Sequence, residues 1–502
     1  MKRLISFLLF FPLITNAQNI TFSDPIKDEG RNMNFHIIGK MNNHVFVLKS
    51  LGWRHDLAVF DDSMHLKETI DLDFLPNRTL NVDYVALNDG FHIVYQYQKK
   101  SIVYCMSVKF DANGKKQSEP ILMDTTQLKG LGDNKIYSLL RSDNKQYIMI
   151  FKIIKNDQQL DYGTLLYDNQ LRLQKKSYLS MPYDSKRDVY NEFLLDNEGN
   201  LVFVGTKNDM KRGYANTIYL IQKPAALDLF ITKKLQIDSA YVDDIIFKID
   251  NLNKKYIIAS FYNIERGGDV DGIFLTSWDP VTDKSVYTSF VVLEDSIRSL
   301  AKTSGSNKTI FNDFTLQNIF LKKDGGYLLT AEYITTQNSN TGASNWNRND
   351  FWGINNNMYY FYDPFYRSYY RPLNSFGANN FSTTRHYYEN VILLSIDKTG
   401  DPQWESVLSK QQSSDEGDNQ LSFGNFFTND GLHFIYNDIT KREKLLMQVV
   451  FTAMGNQKRL PSLKTYERGV EFMPRFCKQV GPRQVIVPAN YRGQIVFARI
   501  DF

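Results

Sequence analysis

The chain has little cysteine and no strong excess of charge of either sign. Only Cys105 and Cys477 occur in 502 residues, which excludes a scaffold held together by disulfides. The two could pair if the fold brings them together, but we favour two buried free thiols that pack as small apolar groups. The 59 basic and 55 acidic residues leave a net charge of +4, so bulk electrostatics offer no case for binding nucleic acid or anionic membrane.

Familiar catalytic and metal-binding motifs are also missing. No two of the seven histidines have the i,i+4 spacing of a helical zinc site. The sequence contains no G-x-S-x-G elbow, no P-loop and no dinucleotide fingerprint. We therefore predict no catalytic residue, no metal site and no cofactor, and a protein that is not an enzyme. His92 alternates with apolar neighbours and is interpreted as a packed strand residue.

One acidic loop resembles a cation-binding loop in composition. Residues 265–272 place alternate carboxylates beside glycines, a spacing that can wrap calcium with oxygen ligands. The loop lacks the closing Glu and the other spaced ligands of a twelve-residue calcium loop. We interpret it as a solvated hairpin between two strands.

Long apolar runs are absent beyond the N-terminus. Lys2 and Arg3 precede an apolar run at residues 4–14, and Thr15 and Ala17 supply small residues at the positions that signal peptidase reads. This run is well short of the roughly 20 residues that span a bilayer. We predict a signal peptide at 1–17, a mature chain without a transmembrane segment, and export to the periplasm or outer membrane of a Gram-negative cell.

What the chain has is a repeated local pattern of strands. An apolar strand, an acidic or turn residue, a short polar turn and a second strand return about every fifty to sixty residues, most clearly at residues 391–404. Weaker copies turn near Asp61, Asp111, Asp168, Gln222, Asp279, Thr452 and Asp501. β-Branched and aromatic residues dominate and helical periodicity is missing. The pattern predicts an all-β chain that forms a single β-propeller.

The turns divide the chain into eight approximate units. They cover residues 33–73, 83–123, 135–181, 189–236, 242–293, 315–408, 421–463 and 470–502. The last unit ends after its third strand, so we expect residues 19–23 of the mature N-terminus to supply the fourth. The prediction is one propeller domain at 18–502 with eight four-stranded blades closed by the N-terminal strand, seven blades being the alternative.

Two segments of the sixth unit carry a family resemblance. They are Asp324-Gly325-Gly326-Tyr327-Leu328-Leu329-Thr330-Ala331 and Leu393-Leu394-Ser395-Ile396-Asp397-Lys398-Thr399-Gly400-Asp401-Pro402-Gln403-Trp404. Together they resemble the Gly-Gly-Tyr and Asp-x-x-Gly-x-x-x-Trp repeat of secreted bacterial β-propellers. The resemblance implies the propeller fold and does not imply a function.

A long aromatic insertion interrupts the sixth unit at about residues 335–386. From Trp346 to Tyr388, 15 of 43 residues are aromatic, against 14% in the whole chain. Three interpretations compete: a structural flap over the propeller face, an element that docks onto another protein, and a stacking platform for glycans. The residues predicted to bind a partner are Trp346, Phe351, Trp352, Tyr359, Tyr360, Phe361, Tyr362, Phe365, Tyr366, Arg367, Tyr369, Tyr370 and Arg371.

The leading hypothesis is a binding or scaffold propeller that docks onto another envelope protein through this loop. The partner could be an outer-membrane complex, with the chain a periplasmic subunit of a secretion or assembly machine. The alternative is a glycan-binding or glycan-active propeller, in which loop carboxylates would act in acid/base pairs.

Overall fold

The structure is a computed structural model, and it is almost entirely β. It describes residues 19–25, 33–51, 54–128, 135–156, 158–208, 215–235, 237, 240–301, 310–338, 384–415, 417–438, 445–463 and 469–502. Strands account for 67% of the structure and helices for 3%, which confirms the predicted all-β class. Within the described ranges, no helix is both long enough and apolar enough to cross a membrane.

The strands follow one another with few interruptions. The first seventeen are β1 (Asn19–Phe22), β2 (Met33–Met41), β3 (His44–Leu51), β4 (Arg54–Phe60), β5 (Leu66–Asp71), β6 (Thr79–Ala86), β7 (Gly90–Lys99), β8 (Ile102–Asp111), β9 (Ile121–Gln127), β10 (Tyr137–Arg141), β11 (Tyr147–Asn156), β12 (Gln159–Asp168), β13 (Leu173–Pro182), β14 (Asp188–Leu195), β15 (Leu201–Asn208), β16 (Ala215–Lys223) and β17 (Ile231–Leu235). The next four are β18 (Tyr241–Asp250), β19 (Lys255–Asn263), β20 (Gly272–Asp279) and β21 (Lys284–Val292).

Short helices separate these strands from the remainder. Helix α1 (Asp295–Ala301) and a 3-10 helix (Ile310–Asp313) come first, and another 3-10 helix (Pro474–Phe476) lies near the C-terminal end of the chain. The remaining strands are β22 (Phe314–Leu321), β23 (Tyr327–Asn338), β24 (Thr384–Ile396), β25 (Pro402–Leu408), β26 (Gln412–Ser414), β27 (Phe423–Thr428), β28 (Gly431–Asp438), β29 (Leu445–Phe451), β30 (Gln457–Leu463), β31 (Val470–Phe472), β32 (Lys478–Gly481), β33 (Gln484–Tyr491) and β34 (Gln494–Asp501).

Consecutive strands pair into antiparallel four-stranded groups. Groups β2–β5, β6–β9, β10–β13 and β27–β30 are separate sheets, and β22–β25 carries β26 as an extra strand on β24. Groups β14–β17 and β18–β21 share one sheet through a single residue pair, Ala215 with Val242. The last sheet joins β31–β34 to β1. Each predicted unit falls on one of these groups.

Strand alternation places the connections at two different ends. The first-to-second and third-to-fourth turns of a group lie together at one end, which we name the turn end. The second-to-third connections and the links between groups lie at the other, the connection end. The insertion joins the second and third strands of its group, β23 and β24, so it leaves from the connection end.

The acidic residue of the repeat caps the third-to-fourth turn. Asp111 Oδ1 accepts the backbone N–H of Asn113 and of Lys115, both at 2.9 Å. Asp397 Oδ1 accepts those of Thr399 and Asp401 at 2.8 and 3.0 Å. A short carboxylate satisfies turn donors that the strands cannot reach, which is why the pattern was visible in the sequence.

The glycine and tryptophan of the clearest repeat contact the neighbouring groups. A Cβ at Gly400, whose φ is +91°, would lie 2.4 Å from the Tyr287 ring of β21. Trp404 Nε1 donates to Ala453 O at 3.1 Å, and its ring lies against Gly455. This repeat therefore joins its own group to the groups before and after it.

We expect Gly400→Ala to lower the free energy of unfolding by about 2–4 kcal/mol, since it combines an unfavourable positive φ with overlap on Tyr287. Gly493→Ala is the matched control, because Gly493 has a φ of +80° but nothing within 4 Å of the added Cβ. Urea denaturation of both variants measures the difference. Equal destabilisation by the two substitutions would show that Tyr287 moves aside freely.

Polar side chains link the groups where their faces meet. Glu192 and Asp244 occupy bulges at φ +58° and +54° in β14 and β18, the first strands of their groups. Glu192 accepts the N–H of Phe247, and Asp244 accepts that of Leu316 at 2.5 Å, each on the first strand of the following group. These bonds satisfy first-strand donors that have no neighbouring strand.

The N-terminal strand pairs with the last strand of the chain. β1 runs antiparallel to β34, from Asn19 opposite Asp501 to Phe22 opposite Ala498, as predicted for residues 19–23. The first and last groups also share an apolar cluster that includes Phe35, Met473 and Phe497. The two ends of the described chain are therefore in direct contact.

Both cysteines are buried and free. Burial raises the pKa of Cys477 to about 12 and raises that of Cys105 further. This confirms the interpretation of two unpaired thiols packed as small apolar groups.

Candidate docking site at the base of the insertion

The insertion begins and ends on directly paired strands. β23 and β24, with 12 and 13 residues, are the longest strands among the described residues, and their pairing continues to Asn338 opposite Thr384. All thirteen residues predicted to bind a partner fall between 339 and 383, outside the described residues. The predicted signal peptide at 1–17 also lies outside them. What the structure describes is the base from which residues 339–383 emerge.

Polar residues surround this base at the connection end, and we name them the collar: Gln337, Arg385, Tyr387, Ser413 and Asp415. β26 pairs with the start of β24, placing Ser413 opposite Tyr387. Arg385 donates to Ser413 Oγ at 3.1 Å, lies 3.7 Å from an Asp415 carboxylate oxygen and places its guanidinium 5.6 Å from the Tyr387 ring centre. Tyr387 in turn donates to Gln337 Oε1 at 3.1 Å. The collar fixes both strands just before the insertion leaves them.

Directly below the collar lies a buried arginine–carboxylate pair. Arg475 donates to both oxygens of Asp418 at 3.0 Å and also to Asn419 Oδ1. The Tyr388 hydroxyl donates to Asp418 Oδ2 at 2.8 Å. The Arg475 and Asp418 side chains are 1% and 0% exposed, and a bidentate pair of this kind fixes orientation as well as charge. It connects β24 to the segment between β31 and β32.

A second buried ion pair lies on the other side of Tyr388. Lys410 Nζ is 2.6 Å from Glu332 Oε1, and neither side chain is exposed. Lys410 also donates to Tyr388 O and Gln412 Oε1, and Ser422 donates to Glu332 Oε2 at 2.6 Å. Burial lowers the pKa of Lys410, and the Glu332 carboxylate opposes that effect.

These groups are suited to holding the base in one geometry. Lys410 and Glu332 are fully buried and bonded to one another. A buried pair contributes little net stability but strongly constrains geometry, because breaking it leaves an uncompensated charge. The arrangement can present a docking element in a defined direction.

The two buried ion pairs at the base were not predicted from the sequence. Residues 413–419 have the serine- and acid-rich composition of a linker, whereas Asp418 and Asn419 are buried in the network. The acidic and basic partners lie 78 and 57 residues apart in the chain, and no local spacing marks them. The one signal in the sequence was the presence of charged residues beside predicted buried strands, because a buried charge requires a partner.

Two further sequence interpretations concern residues away from the base. His92 is 1% exposed, and burial, with a smaller effect of Lys109, lowers its pKa to about 4, consistent with a packed neutral residue. Residues 265–272 connect β19 to β20 as the predicted hairpin. In it, Asp271 accepts the N–H of Ile264 at 2.7 Å and Asp269 accepts from Asn312.

No protein-family model matches the chain, and no curated protein matches it in sequence. Among solved structures, it is similar to a prolyl endopeptidase at 8% identity and a TM-score of 0.41, covering 94% of this chain and 55% of that one. It is similar to a PL25 ulvan lyase at 11% identity and a TM-score of 0.36, covering 82% and 90% of the two chains. Polysaccharide lyase Uly1 matches at 8% identity and a TM-score of 0.38, covering 84% and 89%.

The chain thus spans about half the length of the prolyl endopeptidase that it resembles. At these identities and TM-scores, none of the three structures assigns a function or a functional residue to this chain.

Proposed function

We propose that this chain is an exported, non-enzymatic scaffold that docks onto another envelope protein through residues 339–383. Its strand groups form one closed β-propeller of eight four-stranded blades, of the kind found in secreted bacterial repeat proteins. Export by the signal peptide at 1–17 places it in the periplasm or at the outer membrane, where the partner is an envelope protein such as a secretion or assembly complex.

Contacts between groups support the closed ring. Among the first strands, β2 contacts β6, β10 contacts β14, β14 contacts β18, and β18 contacts β22. Strand β2 also contacts β32 of the last group. With β1 paired to β34, the last group has four strands when the short β31 and β32 are counted together as its first strand. In a ring, the first and last groups cover each other's faces, and only short, protected sheet edges remain.

The single observation that carries the docking proposal is the rigid base. Paired strands, the collar and two fully buried ion pairs hold both ends of a 45-residue segment that is rich in tyrosine, tryptophan and arginine. These residue types dominate binding energy at protein interfaces. A flap with a purely structural role would not require buried ion pairs to hold the two strands from which it emerges.

Replacing residues 339–383 with Asn-Gly tests the proposal. Because Asn338 and Thr384 are directly paired, a two-residue turn closes the hairpin without changing its register. We expect a folded monomer with wild-type β-sheet circular dichroism that no longer co-purifies a partner captured by the wild-type chain from its native envelope. Mass spectrometry identifies the captured proteins.

A second variant distinguishes the contribution of the predicted contact side chains from that of the length of the insertion. It keeps all 45 residues but changes the thirteen predicted contact residues to serine, and we expect it to lose the same partner. Wild-type capture by both variants would contradict docking through the insertion. Loss of binding to a glycan array, with every protein partner retained, would instead favour the glycan-binding alternative.

A further inference from the structure

The fourth strand of each group, which we call its outer strand, has one open edge, and in group β18–β21 that strand is apolar. β21 pairs with β20 along one edge, and no strand among the described residues pairs with its other edge. Val286, Phe290 and Val292 are 44%, 39% and 62% exposed, and Thr288 between them is exposed as well. An apolar strand at an open sheet edge is a surface to which a strand of another chain can be added.

Most of the other outer strands contain charged residues or prolines, which disfavour pairing with another chain. These are Lys67, Glu68 and Asp71 in β5, Asp124 in β9, Lys175, Lys176 and Pro182 in β13, Lys233 and Lys234 in β17, Pro402 and Glu405 in β25, and Lys458, Arg459 and Pro461 in β30. β1 contains neither but has only four residues. Residues 285–292 of β21 contain no charge and no proline. Among the described outer strands, β21 is therefore the long one that lacks this protection.

The backbone of β21 is regular over most of its length. The pairing with β20 passes over Val286, which forms a bulge, and is continuous from Tyr287 to Val292. Just after the strand, Arg298 Nε of helix α1 donates to Leu293 O at 2.8 Å, which fixes the strand end. A regular strand whose end is held in place can accept the ladder of hydrogen bonds that a further strand offers.

The largest exposed side chain of β21 is also held in position. The Phe290 ring centre lies 5.0 Å from that of Tyr262 in β19 and 5.2 Å from that of Phe274 in β20. These contacts support one side of the ring and leave the rest open to solvent. An apolar side chain that is fixed before binding loses little conformational entropy when a partner covers it.

The charges at the two ends of β21 are of opposite sign. Lys284 is its first residue, Glu294 and Asp295 follow its last residue, and all three are exposed. Asp283, just before the strand, is already paired with Lys233 of β17. In an antiparallel ladder the start of one strand lies beside the end of the other. Two antiparallel copies of β21 therefore bring Lys284 of each copy toward Glu294 and Asp295 of the other.

We propose that β21 pairs with β21 of a second copy of this chain, in antiparallel orientation about a two-fold axis. Phe290 lies near the axis, the uncharged residues 285–292 form the ladder, and the opposite charges lie at its two ends. Self-pairing of β13 or β17 would instead bring lysines close to lysines, which is unfavourable. The contact is isologous, so the same surface serves both copies, and it involves none of the residues 339–383.

Sedimentation equilibrium of the mature chain, residues 18–502, tests the proposal. One ladder buries less than the roughly 1,200–2,000 Å² of stable complexes, so we expect a dimer with a Kd on the order of 100 μM and a monomer at low micromolar concentration. Val292→Lys should weaken the dimer about tenfold or more, because it adds a positive charge near the Lys284 of the other copy. Leu173→Lys is the matched control: Leu173 is also an exposed apolar residue of an outer strand, β13, and its replacement should leave the Kd unchanged.

A charge exchange tests the antiparallel orientation. Lys284→Glu should weaken the dimer about threefold to tenfold, and the double variant Lys284→Glu/Glu294→Lys should recover most of that loss, because the exchange recreates opposite charges at both ends. Hydrogen exchange of the backbone amides of residues 287–292 should slow as the protein concentration rises through the Kd. Failure of the double variant to recover affinity would contradict the two-fold antiparallel arrangement.

Two controls keep the result independent of folding and of docking. Circular dichroism and the urea midpoint should show that the lysine variants fold as the wild type does. The Asn-Gly variant without residues 339–383 should dimerise normally even if it captures no partner. A wild-type chain that remains a monomer up to about 1 mM, or a dimer unaffected by Val292→Lys, would overturn the proposal. Loss of partner capture by Val292→Lys in a chain that never dimerises would also overturn it and would assign β21 to the partner.

Discussion

Removal of residues 19–23 is expected to lower the free energy of unfolding by about 3–6 kcal/mol and to make the protein associate. Ile20 and Phe22 pack against the apolar cluster of the last group, and the Phe22 ring lies 6.1 Å from that of Phe472. Half-burial of two such side chains contributes about 1.5–3 kcal/mol, and the ladder hydrogen bonds to β34 add to this. Part of this is offset by the entropy of ordering five residues.

The association has a separate cause. Without β1, the outer edge of β34 presents unpaired N–H and C=O groups, a surface that other strands can extend. Ser23 adds two bonds at the end of the ladder, from its N–H to Phe497 O at 2.9 Å and from the Phe497 N–H to its Oγ at 3.0 Å. Losing both leaves the last strand exposed along its length.

Urea denaturation and light scattering on a size-exclusion column measure the two effects. Asn19→Ala is the control, since the Asn19 side chain is exposed and the substitution keeps the strand; it should behave as wild type. A truncated chain that stays monomeric with an unchanged denaturation midpoint would show that β1 neither stabilises the last sheet nor protects the edge of β34.

Lys410→Met is expected to lower the free energy of unfolding by about 3–5 kcal/mol, because it leaves the Glu332 carboxylate buried without its partner. Both side chains are fully buried, so solvent cannot compensate the remaining charge. The double variant Lys410→Met/Glu332→Leu removes both charges and should recover at least about half of the loss, although Ser422 and Gln412 then lack one partner each.

Denaturant unfolding of the single and double variants gives the coupling energy between the two residues. Lys233→Met is the control for loss of an ion pair at the surface: its partner Asp283 is about half exposed, and the expected cost is less than about 1 kcal/mol. A Lys410 variant no less stable than the Lys233 variant would contradict the buried pair as the foundation of the insertion.

Local features of the fold were predictable because they depend on neighbours in the chain. Asp111 and Asp397 cap turns through donors two and four residues away, and period-2 alternation marks the strands on either side. The N-terminal strand was predictable for another reason: the last unit lacked a fourth strand, and residues 19–23 had no other partner.

Interactions between groups were not predictable in the same way. Neighbouring sheets meet through side chains whose contacts depend on twist and packing angle, and no spacing in the sequence encodes these. Glu192 and Asp244 are examples, since their role follows from strand bulges that place a carboxylate against the next group. For the same reason, the composition of residues 413–419 does not indicate that Asp418 is buried.

By itself, then, the sequence determined the all-β class, the strand groups, their capped turns and the N-terminal strand that completes the last sheet, because each follows from patterns a few residues long. Only the tertiary structure decided that Lys410 meets Glu332, that Arg475 meets Asp418, and that Lys478 on β32 donates to Ile37 O on β2. These contacts depend on how whole sheets pack. A buried charge is tolerated only where the packed fold supplies it with a partner.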